Sequence, residues 1–201
     1  MAPGGCGRRG GTDAAPFHRA GAGKPGFQVP PLSTEKINRI AINCRKRLFG
    51  IDENEPIDLL DLVERFLPEK LGINYDIREV EIMQDIEAAV NPDKGELLIR
   101  EDVYLALTDP TSYGHGRARF TLAHEIGHLI LHEGVTLNRQ VKVKNHKIYE
   151  DSEWQADTFS AELLMPSHMC RGLSLEEIQT KFVVSYSAAK NKFETLSKGG
   201  F

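Results

Sequence analysis

His124 and His128 stand four residues apart in "FTLAHEIGHLILHEGV", with Glu125 directly after the first histidine. On a helix, a spacing of four places both imidazoles on one face, one turn apart. Both rings can then reach a single ion at the usual Zn–N distance of ~2.0–2.1 Å. Glu125 points about a quarter-turn aside. It therefore misses the ion and faces a water beside it, where a carboxylate can serve as general base. This is the HExxH arrangement, two ligands and one base. The residues around it are mostly apolar, which sets the histidines on a core-facing helix. Two buried imidazoles without partners would be costly there.

A catalytic zinc site takes three protein ligands and keeps a fourth position open. His132 lies eight residues beyond His124, ~12 Å along the helix axis, too far to share the ion. It is read as a supporting or helix-end residue. "EDSEWQADTFSAELLMP", Glu150–Pro166, offers the third ligand. Glu153 and Asp157 are four apart and share a face of a second helix. Glu153 can close a His₂Glu set, and Asp157, one layer behind the ligands, can accept the ring N–H of a ligand histidine. Glu150, Asp151 and Glu162 read as a solvated face. Zinc suits these ligands best, with Mn²⁺ or Fe²⁺ as poorer matches. A second oxyanion donor could come from Tyr113, His115, His146 or Tyr149, and Arg119 reads as structural.

Other elements must hold these two helices. "STEKINRIAINCRKRLFG" predicts a helix capped by Ser33 or Thr34 and ended by Gly50. "PIDLLDLVERFLP" predicts a second, with Pro56 in its first turn and Pro68 beyond its end. "GINYDI" alternates like a half-buried strand, and "EAAVNPDKGELLI" reads as two strands joined around Pro92–Gly95. A loop is expected over 109–116, a helix from about Glu150 to Leu164, and two short helices over 172–197. The fold class expected is α+β, with a small antiparallel sheet packed by helices.

Composition narrows the function classes. The chain has 201 residues and a formal net charge of −4. That gives no general drive toward phosphate backbones or anionic membranes. Cys6, Cys44 and Cys170 are few, odd in number and scattered, which fits a reducing, cytoplasmic setting rather than a disulfide framework. No apolar run is long enough to span a bilayer. Residues 1–32, rich in Gly, Pro and Arg, read as a disordered tail, and 33–197 as one domain.

These stretches also carry a family resemblance. "GRARFTLAHEIGHLILH" and "EWQADTFSAELLMP" resemble the two signatures of the ImmA/IrrE family of zinc metallo-endopeptidases. "IREDVYLAL" resembles the segment ahead of the first, and "LSLEEIQTKFVVSYSAAKNKFETL" the family's C-terminal, helix-turn-helix-like helices. The likeness spans roughly residues 55–197. Against the pattern E-x-x-A-[ND]-x-F-A-x-x-L-L-M-P, Glu153 takes the ligand position, Ala156 the helix alanine and Asp157 the Asn/Asp position. Ser160 replaces a customary Ala, a small-for-small change. The resemblance implies a zincin-like fold and a gluzincin-like HExxH…E site holding one zinc ion. It also implies cleavage of a protein substrate, a helix-turn-helix transcriptional repressor on a separate chain, in mobile-element or stress circuits.

Two readings compete. Zinc could be a structural clip in a non-catalytic, partner-binding module, although structural sites usually have four ligands and much Cys. The 172–197 helices could bind DNA, but Lys181, Lys190 and Lys192 form no basic stripe, so nucleic acid is not an expected partner. Oligomeric state stays open.

Overall fold

Gly72 and Gly95 lie against each other and set the direction of the sheet. Both adopt positive φ, and a Cβ on Gly95 would come within 2.9 Å of the Gly72 carbonyl oxygen. The Asn74 amide donates to the Gly95 carbonyl at 2.8 Å. The strand leaving Gly72 and the strand leaving Gly95 therefore start side by side and run the same way. In the computed structural model, which describes residues 26–52, 54–91, 94–132 and 146–199, these are β1 (Asn74–Arg78) and β3 (Glu96–Arg100), paired in parallel with Tyr75 opposite Leu97. β2 (Ala88–Asn91) forms the antiparallel hairpin with β3, with Ala89 opposite Leu98. The fold class is α+β as expected, but the sheet is mixed, in the order β1-β3-β2, and not purely antiparallel. Short-range signals disclosed the hairpin. The parallel pair depends on a crossover through helix α3 (Val80–Met83), which no local pattern encodes.

The helices follow their caps. α1 (Thr34–Asn43) begins at Ser33, whose hydroxyl accepts from the Lys36 amide, and continues in wider turns over Cys44–Leu48. α2 starts at Leu59–Asp61 under an Asp58 cap and continues over Leu62–Leu71. It begins three residues later than Pro56 suggested and runs through Pro68 instead of ending before it. The continuation has i→i+5 hydrogen bonding, a loose spiral that gives a ring without an N–H somewhere to sit.

β3 leads directly into α4 (Glu101–Thr108), and α5 (His115–His132) forms the centre of the molecule. Leu122, Ile126 and Leu129 of α5 enter the main core with Leu62, Leu97, Ile99, Phe159 and Phe182. α6 (Ser152–Leu164) packs most extensively on α5 and also on α1. Beyond it come α7 (Ser167–Cys170), α8 (Leu175–Phe182) and α9 (Tyr186–Ser197). The last two form a helical hairpin whose turn seats on α5, where a Cβ on Gly116 would strike the Ser185 amide at 2.6 Å. No described helix is long and apolar enough to cross a membrane.

The predicted tail ends earlier than residue 32. Residues 1–25 lie outside the described residues, but 26–32 form a strap beside the entry to α6. Val29 N donates to Glu150 O at 2.8 Å, Ser152 N to Phe27 O at 3.0 Å and Leu32 N to Tyr149 O at 3.1 Å. Val29 is buried. Composition groups this stretch with the tail, but its main chain pairs with residues 149–152.

Candidate metal centre

The site exists because two helices come unusually close. Gly127, inside HExxH, faces Ala156 of α6. A Cβ there would stand 3.2 Å from the Ala156 Cα and carbonyl oxygen. The two small residues let the backbones meet, and that contact carries Glu153 across to the histidine face. Asp151 fixes the start of α6, its carboxylate accepting from Glu153 N and Trp154 N at 3.0 Å each.

His124 Nε2 and His128 Nε2 lie 2.9 Å apart. The Glu153 carboxylate oxygens lie 3.2 Å from the first and 3.4 Å from the second. A tetrahedral ion with Zn–N bonds of ~2.1 Å has ligand–ligand edges of about 3.4 Å. The observed triangle is close to that size, so the residues present fit a divalent cation. Among the described residues these three form the one group able to hold a metal ion. His124, Glu153 and His128 are thus brought together as the spacing required.

The electrostatics agree. Burial opposes an imidazolium at His124, but Asp157, Glu153 and Glu125 outweigh it and push the ring up to about 10. Burial likewise opposes ionised Glu153, yet hydrogen bonds to both histidines and their charge hold it well below the usual carboxylate range. The pocket thus favours positive charge.

Asp157 lies where the sequence placed it, with Oδ1 2.8 Å from His124 Nδ1. Glu125 is fully buried against β2. Its Oε2 accepts from the Val90 amide at 3.1 Å, while Oε1 has no hydrogen-bond partner among the described residues. Burial and the charge of Glu153 push its pKa up to about 8, against the pull of His124 and of the Val90 amide. An open cavity of about 750 Å³ runs from His124, Glu153 and Asp157 past Arg117 to Lys192 and Thr195 of α9. That is the size of a cleft that holds a peptide segment or a small ligand.

Other expectations fare unevenly. Arg119 is structural, donating to Ile57 O at 2.9 Å and Phe182 O at 3.4 Å. Tyr113, His115, His146 and Tyr149 are absent from the described lining of the cavity. His115 instead bonds Ala106 O, and His146 bonds Asp151. Asp151 and Glu162 are not a solvated face: Asp151 is the helix cap, and Glu162 is buried with Ser167 and Lys192. Sequence reasoning also passed over Gln155, fully buried behind His132. Its only signal was a polar residue two places after Glu153 in the sequence.

Residues 112–194 match the family model Peptidase_M78, described as the IrrE N-terminal-like domain. Over these residues the match supports the ImmA/IrrE resemblance. The IrrE-like segment contains His124, Glu125, His128, Glu153 and Asp157, and the match supports a peptidase of the metallopeptidase type. A Mycobacterium tuberculosis transcriptional regulator of known structure is similar over 78% of this chain and 54% of its own, with a TM-score of 0.54 and 12% identity. This chain thus spans about half of that protein, and the likeness is one of fold. No curated protein matches the chain significantly.

Proposed function

We propose that the protein is a zinc-dependent endopeptidase acting on a protein substrate, a helix-turn-helix repressor carried on a separate chain. The observation that carries the reading is the closure of His124, His128 and Glu153 into one ligand triangle beside a buried, half-unpartnered Glu125. Zinc is the ion that suits two imidazoles and one carboxylate, and when bound it would supply Lewis-acid polarisation of a scissile carbonyl and acidify a nearby water. His124 and His128 each present Nε2 to the ion, and Glu153 presents its carboxylate. Asp157 holds the His124 proton on Nδ1, so that Nε2 keeps its lone pair. Glu125 takes the proton of the attacking water and returns it to the leaving amine. Its burial against β2 keeps that carboxylate basic enough for the task. Three ligands among the described residues would leave a position open on a four-coordinate ion, which favours catalysis over a structural clip.

The test is co-expression with candidate repressors, scored for cleavage with and without a chelator. Glu125→Gln should bind zinc with parent stoichiometry and lose cleavage, by a factor of about 10²–10⁴ for a general base. Full cleavage by that variant, or by chelator-treated parent protein, would end the proposal.

A further inference from the structure

His124 Nδ1 faces the Asp157 carboxylate, whereas His128 Nδ1 faces another imidazole. Its Nδ1 lies 3.1 Å from His132 Nδ1. His132 Nε2 lies 3.1 Å from Gln155 Oε1. Gln155 Nε2 lies 2.9 Å from the Pro30 carbonyl and 2.8 Å from the Tyr149 carbonyl. All three side chains are buried.

The hydrogen-bond directions in this chain follow from one end. Backbone carbonyls only accept, so the Gln155 nitrogen must be the atom facing Pro30 and Tyr149. A flipped amide would set its oxygen against two carbonyl oxygens. The Gln155 oxygen then faces His132, which must donate from Nε2. A neutral His132 that donates from Nε2 accepts at Nδ1. His128 must therefore donate from Nδ1, and a neutral His128 with its proton there carries the lone pair on Nε2. That is the nitrogen turned toward His124 and Glu153.

We infer that Gln155 and His132 are positioning residues that set the tautomer of His128, reading it off two backbone carbonyls and leaving Nε2 free to bind a cation. The two ligand histidines are thus oriented by different means: His124 by the Asp157 carboxylate, His128 by a neutral relay. A second carboxylate behind His128 would add negative charge to a site that already holds Glu125, Glu153 and Asp157. A relay of neutral groups ending on main-chain oxygens fixes the ring without that charge. One terminus of the relay, Pro30, lies in the strap, so the segment before α1 takes part in orienting the site. The inference rests on the metallopeptidase reading for the identity of the ligand, but not for the hydrogen-bond order.

Long-range ¹⁵N–¹H NMR on the full, metal-free chain reads the order directly. The expected pattern is a proton on Nδ1 of His128 and on Nε2 of His132. The opposite pattern on either ring overturns the relay. In chelator competition for zinc, Gln155→Leu and His132→Phe should weaken binding by about 10–100-fold. His132→Asn can place an amide oxygen near the former Nδ1 position and should recover most of that loss. Equal zinc affinity in all three variants and the parent overturns the inference, as does a His132→Asn variant no better than His132→Phe. Should a variant fail to fold, the NMR pattern of the parent chain decides. A parent chain that takes up no divalent ion would bring down the metallopeptidase reading instead, and the tautomer pattern would still judge the relay.

Discussion

Helix α6 carries two buried polar centres, Glu153 at one end and Glu162 nine residues on, ~13.5 Å apart along the axis. At Glu162 the chain brings its own cation. Lys192 Nζ lies 2.6 Å from Glu162 and donates to Ser167 Oγ at 2.9 Å, while Ser167 donates its amide and hydroxyl to the same carboxylate. At Glu153 the partners are imidazoles whose ring nitrogens converge on a common point. The first centre is closed and ties α9 to α6. The second gathers lone pairs in an arrangement that fits a cation from outside. Burial and polarity alone do not separate these two clusters; the direction of the donors does.

The largest expected effect tests the closed centre. Lys192→Met should cost about 3–5 kcal/mol in urea unfolding, since it leaves Glu162 buried and unpaired. Adding Glu162→Leu should return most of that loss, and zinc affinity should stay at the parent value throughout. A Lys192→Met protein as stable as its parent would show that the pair is not closed in solution.

Next in size is the open centre. Free zinc at about a thousand times its Kd should stabilise the fold by about 4 kcal/mol, and a chelator should remove the gain. His128→Ala should abolish the zinc-dependent increment. A melting midpoint indifferent to zinc in the parent chain would erase the distinction between the two centres. The smallest effect sharpens the distinction. Gly127→Ala must move α5 and α6 apart by a few tenths of an ångström. It should cost about 1 kcal/mol of overpacking and weaken zinc binding. Zinc affinity unchanged in that variant would mean that the site tolerates helix separation.

The open centre was legible in the sequence because its geometry is periodic. Four-residue spacings on two helices placed His124, His128, Glu153 and Asp157, and the helices need only cross. The closed centre was not legible: an acid at 162 and a lysine at 192 look like any solvated helix face until three elements meet. Lys192, counted with Lys181 and Lys190 among the positive charges of the last helices, is buried. The hairpin of β2 and β3 followed from turn chemistry, whereas the parallel partner β1 depends on where α2 delivers the chain. Gln155 escaped notice because its role is defined by main-chain oxygens at positions 30 and 149, which no side-chain pattern reports.

The strap has a practical consequence for anyone trimming this protein. A cut at residue 33, where composition suggests the domain opens, would strip away Val29 and the Pro30 oxygen together. The Gln155 amide would keep one acceptor of two, and the groove along 148–152 would stand bare. Such a shortened chain should bind added zinc more weakly than the longer one, which chelator competition on the two chains side by side would check.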